Sequence, residues 1–334
     1  MEIGFDLVGI AAADPPDHSS FLDEWLSRGY AGEMAYLKRS AQIRKNLRIK
    51  FPWAQSLICV AVQYPAERPG LGIAKHISRY AQGDDYHDVL DKPLKELEEF
   101  IAETYQQDFD APVITWRYID TGPVMEKLYA AACGIGWVGK NTLVLNETLG
   151  SYLLLSEIIT DLRLPPDPPA AERCGTCTRC LEACPTNAFT SPYVLDATRC
   201  ISYQTIETKK EIPHEIAEHL EGNLFGCDIC QEVCPWNNPS TVKQRGENHI
   251  VDAFRPRSAY LALNLPDITE MTPEQFQTAF RKSPLKRPGQ KKLEYVARMI
   301  SDPVSTKAPE EAKIPPEWQG SRPRSSTTRN TPSV

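Results

Sequence analysis

The chain has 334 residues, 41% of them apolar, with a formal net charge of −7 and ten cysteines. That length and apolar content suit one large core plus a smaller one, so about two domains are expected, and the acidic balance argues against indiscriminate nucleic-acid binding. No stretch approaches the ~20 apolar residues of a membrane span, and Met1-Glu-Ile-Gly-Phe-Asp-Leu-Val-Gly-Ile10 has neither the basic start nor the cleavage site of a signal peptide, so a soluble, cytoplasmic protein is expected.

Residues 3–11 and 56–64 are apolar, β-rich runs without polar alternation and are expected as buried strands. Between and after them, residues 21–30 and 86–105 place apolar side chains at three- and four-residue spacing, the second as Val89, Leu90, Leu94, Leu97 and Ile101, which predicts helices. A strand over 113–118, a helix over 123–133 and a strand over 152–160 follow, so residues 1–165 are expected as an α/β domain. Cys59, in an apolar run, and Cys133, beside Gly134, are expected to pack as small hydrophobes. Gly134-Ile-Gly136-Trp-Val-Gly139 has dinucleotide-fingerprint spacing, but it follows a helix instead of a strand, so Gly134 is better taken as a left-handed helix C-cap. Pro165, Pro166, Pro168 and Pro169 mark the end of the domain.

The next segment, 166–245, carries Cys174-x2-Cys177-x2-Cys180-x3-Cys184-Pro185, then Cys200, then Cys227-x2-Cys230-x3-Cys234-Pro235. The first run is the one by which bacterial ferredoxins hold a [4Fe–4S] cluster, and eight thiolates suit two clusters in a ferredoxin-like α+β domain. Because the fourth cysteine of such a run ligates the other cluster, Cys174, Cys177, Cys180 and Cys234 are assigned to one, and Cys184, Cys200, Cys227 and Cys230 to its neighbour. Structural zinc is the competing reading, disfavoured because zinc ribbons have no reason for this run; a disulfide framework is disfavoured by the length of the chain. His214 and His219 have a zinc-like spacing, but five residues along a helix point to different faces, so solvated histidines are expected.

Residues 246–302 are expected as a short helical segment with surface helices over 271–281 and 291–300. Between Arg281 and Arg298 lie seven basic residues and one acid, Glu294, which is either a local basic patch or an ordinary solvated helix face. Residues 303–334 are rich in Pro, Ser, Thr and Arg, and are expected to be mobile.

Several motifs in one order resemble the epoxyqueuosine reductases: Ser78-Arg79-Tyr80, Gly83-Asp-Asp85-Tyr86-His87, Tyr118-Ile-Asp120-Thr-Gly-Pro123-Val-Met-Glu126, Gly134-Ile-Gly136-Trp137-Val-Gly139-Lys140-Asn141-Thr142, Cys200-Ile-Ser202-Tyr203 and Gly226-Cys227-Asp228-x-Cys230-Gln231. The likeness spans about residues 4–238. It implies an oxidoreductase that completes queuosine biosynthesis by reducing the epoxide of epoxyqueuosine at the tRNA wobble position with cobalamin and two [4Fe–4S] clusters. It further implies Asp120 as proton donor, and Arg44, Ser78, Val144, Leu155, Ser202, Cys227 and Asp228 together with Asp120 as cobalamin contacts. No Asp-x-His-x-x-Gly element is present, so the cobalamin is expected base-off, without a protein histidine ligand.

Lys209, Lys286 and Arg287 are expected to meet tRNA phosphates, while Lys140 and Asn141 are expected either as corrin-tail or phosphate contacts or in structural roles. A low-potential donor such as flavodoxin or ferredoxin and a monomeric state are also expected. The chain departs from the family pattern in three places: it lacks the usual helix before the first strand, has Lys127 where an Arg often stands, and lacks the repeat-helix extension of some members. Two other readings are a reductive dehalogenase-like corrinoid enzyme acting on a small molecule, and an electron carrier without corrin.

Overall fold

The computed structural model describes residues 3–240, 242 and 249–301. Its first elements are β1 (Leu7–Ala12), α1 (Phe21–Ser27), α2 (Ala35–Lys45), β2 (Ser56–Gln63), α3 (Tyr86–Phe109), β3 (Thr115–Tyr118), α4 (Glu126–Ala132), β4 (Trp137–Val138), β5 (Val144–Leu145) and β6 (Leu153–Thr160). Four strands form one sheet in the order β1-β2-β6-β3, and every neighbouring pair is antiparallel. β2 and β3 therefore run the same way, with α3 crossing between them and β6 slotted between. Alternation of helix and strand in sequence does not settle strand direction, because crossovers of this length reach either end of a neighbour.

β2 is buried at all eight positions because both faces of the sheet are covered. Leu57, Cys59 and Ala61 pack with Val124, Tyr129, Ala130 and Cys133 around α4, whereas Ile58, Val60 and Val62 pack with Leu90, Leu94 and Leu97 of α3. Burying each large aliphatic side chain stabilises by roughly 1.5–3 kcal/mol. α3 starts where Asp85 caps it, its side chain accepting from the His87 N–H at 3.1 Å, and it ends at Asp110, whose φ of +50° breaks the helical path. α4 ends at Cys133, and Gly134 follows at φ +80°, the left-handed turn that glycine adopts without Cβ strain. Gly136 and Gly139 then press against Leu145 in the β4–β5 hairpin, so these glycines serve a turn and close packing.

The cysteine-rich part contains α5 (Arg179–Glu182), β7 (Phe189–Ser191), β8 (Val194–Leu195), α6 (Ile201–Ile206), α7 (His214–Ala217) and α8 (Ile229–Glu232). His214, at the start of the short α7, is exposed and pairs with Glu218 at 3.5 Å.

Further on, the expected helix over 271–281 is the shorter Pro273–Ala279, opened by a Thr272/Gln275 capping box with Pro273 in its first turn, and a further helix, Leu265–Glu270, precedes it. The last helix, Gln290–Ser301, buries Leu293, Val296 and Ala297. These side chains join Phe276, Phe280 and Leu285 in a cluster that also contains Ile73, Ile77, Ile201, Leu224 and Phe225, so one apolar core runs across the expected boundaries at 165 and 245. Among the described residues no helix is long and apolar enough to cross a membrane. The tail from 303 lies outside the described residues.

Candidate functional site

β3 ends at Tyr118, and the chain turns tightly there, the Thr121 N–H donating to Ile119 O at 2.5 Å. Asp120, at the apex, has φ +58°, a conformation costing a non-glycine residue of order 1 kcal/mol or more and persisting only where its surroundings enforce it. Arg44 supplies part of that enforcement: from α2 its Nη1 and Nη2 donate to Val124 O at 2.8 Å and Gly122 O at 3.0 Å. The start of α3 supplies the rest. The Tyr86 hydroxyl donates to Asp120 Oδ2 at 2.8 Å, and His87 Nε2 lies 3.8 Å from the same oxygen. His87 stacks on Tyr86 with ring centroids 4.1 Å apart, and its Nδ1 is held 2.8 Å from Asp85 Oδ1. Burial and the adjacent Asp120 charge push the Tyr86 hydroxyl well above its ordinary pKa, so it stays a donor. Asp120 does not sit on a helix N-terminus, because the helix expected from 123 opens only at Glu126, with Met125 as its cap. Asp120 nevertheless occupies the carboxyl-end edge of β3, the side on which β2 also ends.

Two acids lie under Asp120 that sequence patterns did not single out as functional. Glu157, on central strand β6, pairs across to Cys59 and Tyr118 and has no exposed surface. Burial, followed by the Glu126 and Asp120 charges, raises its pKa well above the carboxylate range. Burial and Asp120 push Glu126 up to about 8. A charged residue in the middle of an otherwise apolar strand, Leu-Leu-Leu-Ser-Glu-Ile-Ile-Thr, was the available signal for Glu157.

The eight clustered cysteines fall into two neighbourhoods. Cys180 is raised to about 11 by burial and then by Cys234, Cys174 and Cys177, and Cys234 feels Cys174 and Cys177 in return. Cys227 is pushed up to about 12 by burial, with Cys200 and Cys184 adding to it, and Cys230 is surrounded by Cys227, Cys200 and Cys184. All eight are free thiols, only partly exposed, whose mutual repulsion as thiolates calls for positive charge at their centres. Among the described residues no three or more His, Cys, Asp or Glu converge as the ligands of a single metal ion would. Lys140 donates to Gly175 O at 2.7 Å and Cys177 O at 2.8 Å, so it buttresses the first cysteine loop. Asn141 is buried, its Oδ1 accepting from the Leu143 N–H at 3.3 Å. Cys59 and Cys133 lie apart from these groups, buried against each other on the α4 face of the sheet.

A polar seam joins the cysteine-rich part to the sheet. Asp228, 2% exposed, accepts from the Arg79 backbone N–H at 2.8 Å and from Arg79 Nη1 at 3.1 Å, and Arg79 also reaches Glu232 at 2.7 Å. Asn237 and Gln231 bind Ser151, with Asn237 Oδ1 accepting from the Ser151 N–H at 2.7 Å and Gln231 Oε1 from its hydroxyl at 2.8 Å. Gly226, at φ +72°, brings its backbone so close to Ser78 that a Cβ would stand 2.2 Å from Ser78 Oγ.

Of the expected cobalamin contacts, Leu155, Ser202 and Cys227 keep partial exposure. Ser78, Val144 and Asp228 do not, being 1%, 5% and 2% exposed, so in this structure they lie beneath the surface they were expected to line. Arg44 is turned onto the Asp120 loop.

Asp120, Arg44, Glu207 and Arg287 all lie within electrostatic range of Tyr36. Arg287, expected on the tRNA face, forks onto Glu207 at 2.7 and 3.1 Å beside the site. Lys209 Nζ donates to Pro288 O at 3.3 Å, while Lys286 is exposed. Lys292, counted in the basic run, is buried and donates to Lys210 O at 3.0 Å.

Two groups of four thiols docked on a sheet domain define an iron–sulfur protein, and residues 173–237 match the 4Fe-4S double cluster binding domain. Residues 44–121 match the family described as epoxyqueuosine reductase QueG. Relatives named epoxyqueuosine reductase include those of Cellulophaga algicola, 39% identical over 86% of this chain and 90% of the relative, and Gloeobacter violaceus, 41% identical over 85% and 88%. An epoxyqueuosine reductase solved with a tRNA-Tyr epoxyqueuosine-modified stem loop superposes with a TM-score of 0.78 at 31% identity, over 89% of this chain and 77% of that one. A Bacillus subtilis epoxyqueuosine reductase, solved with its catalytic aspartate loop swung out of the active site, gives 0.76 at 29% identity over 89% and 77%. The chain belongs to the epoxyqueuosine reductase family.

Proposed function

We infer that this protein reduces epoxyqueuosine to queuosine in tRNA, with Asp120 as the proton donor and the two cysteine groups as the ligands of two [4Fe–4S] clusters. One observation carries the reading: Lys127 lies within electrostatic range of Asp120 on one side and of Cys200 and Cys230 on the other, so an acid and an electron source share one seam. Removing an epoxide oxygen to leave an alkene takes two electrons and two protons and releases water. Asp120 delivers a proton to the departing oxygen, and the Tyr86 O–H and His87 aim its carboxyl. Leu155, Ser202 and Cys227, which keep partial exposure, suit the apolar and polar edges of a corrin. A bound cobalamin would supply a strong low-potential reductant, and the clusters held by the eight cysteines would return electrons to it. The motif divisions 1–165, 166–245 and 246–302 remain our functional partition, for the sheet and its acid, the clusters and the basic helices.

Anaerobic reconstitution with iron, sulfide and cobalamin, followed by assay on epoxyqueuosine-containing tRNA, tests the reading; a loaded protein that leaves the epoxide intact overturns it. Cys230→Ser is expected to remove about half the cluster iron and the electron route to the seam, read as iron content and as lost turnover. For RNA contact, Lys286→Glu should weaken tRNA binding and lower the slope of log K against log salt by about 0.7–0.9. Arg287→Glu should instead act mainly on turnover, since it puts two carboxylates together beside Asp120, and a pure salt-slope effect there would show that Arg287 faces phosphate.

A further inference from the structure

Residues 34–66 carry six basic side chains and no acidic one, in a chain whose formal net charge is −7. All six lie on α2 or in the turn after it, and the fold uses half of them internally. Arg44 holds the Asp120 loop, while Lys45 pairs with Asp23 and Arg48 with Asp14, each at 2.5 Å. Lys38 and Arg39 are exposed and have no acidic partner among the described residues. Lys50 is exposed too, and its Nζ donates to the Tyr118 hydroxyl at 2.7 Å.

An aromatic surface continues from Lys50, whose Nζ lies 5.2 Å from the Phe51 ring centroid and 5.5 Å from that of Tyr118. Phe51 is buried and backs Trp53 at 5.4 Å and Trp116 at 6.1 Å between ring centroids, and Trp116 stands 6.4 Å from Tyr118. Covering Phe51 uses only part of Trp116, which stays 50% exposed on the edge strand β3. Tyr118 joins this surface to the Asp120 loop, since Gly122 packs so close that a Cβ there would stand 2.4 Å from the Tyr118 Cγ. At the other end, just before α2, Glu33 accepts from the Thr208 hydroxyl and the Lys209 N–H, both at 2.8 Å. The 11 residues of α2 span about 16 Å, so cations and rings follow one another past the Asp120 loop.

Exposed rings beside cations without acidic partners are what single-stranded nucleic acid takes: bases stack on the rings and phosphates meet the cations. We propose that α2, the turn to Lys50 and Trp116 form a docking surface for the unpaired anticodon-loop nucleotides that flank the wobble position. Lys38, Arg39 and Lys50 take phosphates, and Trp116 takes a base. The surface is separate in sequence from the basic run at 281–298, and the inference rests on tRNA being the substrate. An acidic electron-carrier protein would also suit the cations, and the test separates the two.

The test measures binding of an anticodon stem-loop RNA to full-length, cluster-loaded protein, with each nucleotide flanking the wobble position replaced in turn by an abasic one. Trp116→Ala should weaken binding of the intact loop about tenfold, as loss of one base stack does, and Trp116→Phe should retain most of the affinity. Against one of the abasic loops Trp116→Ala should cost nothing further, because the base it would release is already gone. Stacking should also quench wild-type tryptophan fluorescence by an amount that Trp116→Phe lacks. The exposed pair Lys38→Gln with Arg39→Gln should lower the slope of log K against log salt by about 1.4, as for two single-strand phosphates. Equal loss on the intact and every abasic loop, no loss, or an unchanged salt slope overturns the proposal. So does unchanged RNA binding accompanied by a rise in the reduced flavodoxin needed for half-maximal turnover, which would give the face to a carrier. Wild-type protein that binds the stem-loop while the variants match it removes this inference alone; wild-type protein that fails to bind it removes the substrate reading as well.

Discussion

Replacing Asp120 by Asn should slow epoxyqueuosine reduction by about 10²–10⁴-fold, the usual worth of a positioned general acid, while leaving tRNA affinity and cluster content near wild type. Asn keeps the shape and accepts the Tyr86 hydroxyl through Oδ1 in place of Asp120 Oδ2, so the turn at φ +58° should persist. What is lost is a group able to give up a proton. Single-turnover assays with pre-reduced protein separate this from an electron-supply defect, because the variant should be equally slow however well its centres are reduced. An Asp120→Asn protein that retained its cofactors and reduced substrate at the wild-type rate would remove Asp120 from the chemistry. A Tyr86→Phe variant is expected to show a smaller loss, since it removes one of the groups that aim the carboxyl.

The second large effect concerns the seam. Asp228 is buried and bound twice by Arg79, and removing one partner of such a pair costs up to about 3–5 kcal/mol, less for Asp228→Ala because Arg79 keeps Glu232 at 2.7 Å. Asp228→Ala should therefore destabilise the fold by less than that ceiling, read as a lower midpoint in denaturant, and should loosen the segment that presents Cys227 and Cys230. Arg79→Met alone should be damaging for the same reason, whereas the double variant Arg79→Met with Asp228→Asn should recover part of the loss because no charge is left without its partner. Strictly additive effects would mean that the ion pair contributes nothing beyond its members' packing. Asp228 was expected at the corrin face; its burial makes it a fastening between the cysteine-rich part and the sheet.

How much of this was legible in the sequence depends on whether the controlling interaction is local. The cysteine runs hold their meaning in spacings of two and three residues, so their grouping around two centres can be written down before folding. The helices at 86–109 and 290–301 and the strands at 56–63 and 153–160 were legible for the same reason, since their apolar periodicity and caps lie within each element. The basic run from Arg281 was legible as composition but not as a surface: Arg287 turns to Glu207 and Lys292 is buried, because partners eighty or so residues away claimed them.

The sequence by itself therefore determined the local chemistry: eight thiols in order, an aspartate at a strand end, and the family motifs around them. Only the tertiary structure decided that the sheet is antiparallel with β6 slotted between β2 and β3, which places Glu157 under Asp120. It also decided that Arg44 grips the Asp120 loop and that Arg79 and Asp228 close the seam. The physical reason is range: spacing and propensity act over a few residues, whereas burial, charge pairing and hydrogen bonding act between side chains that only the assembled core brings within 3–4 Å.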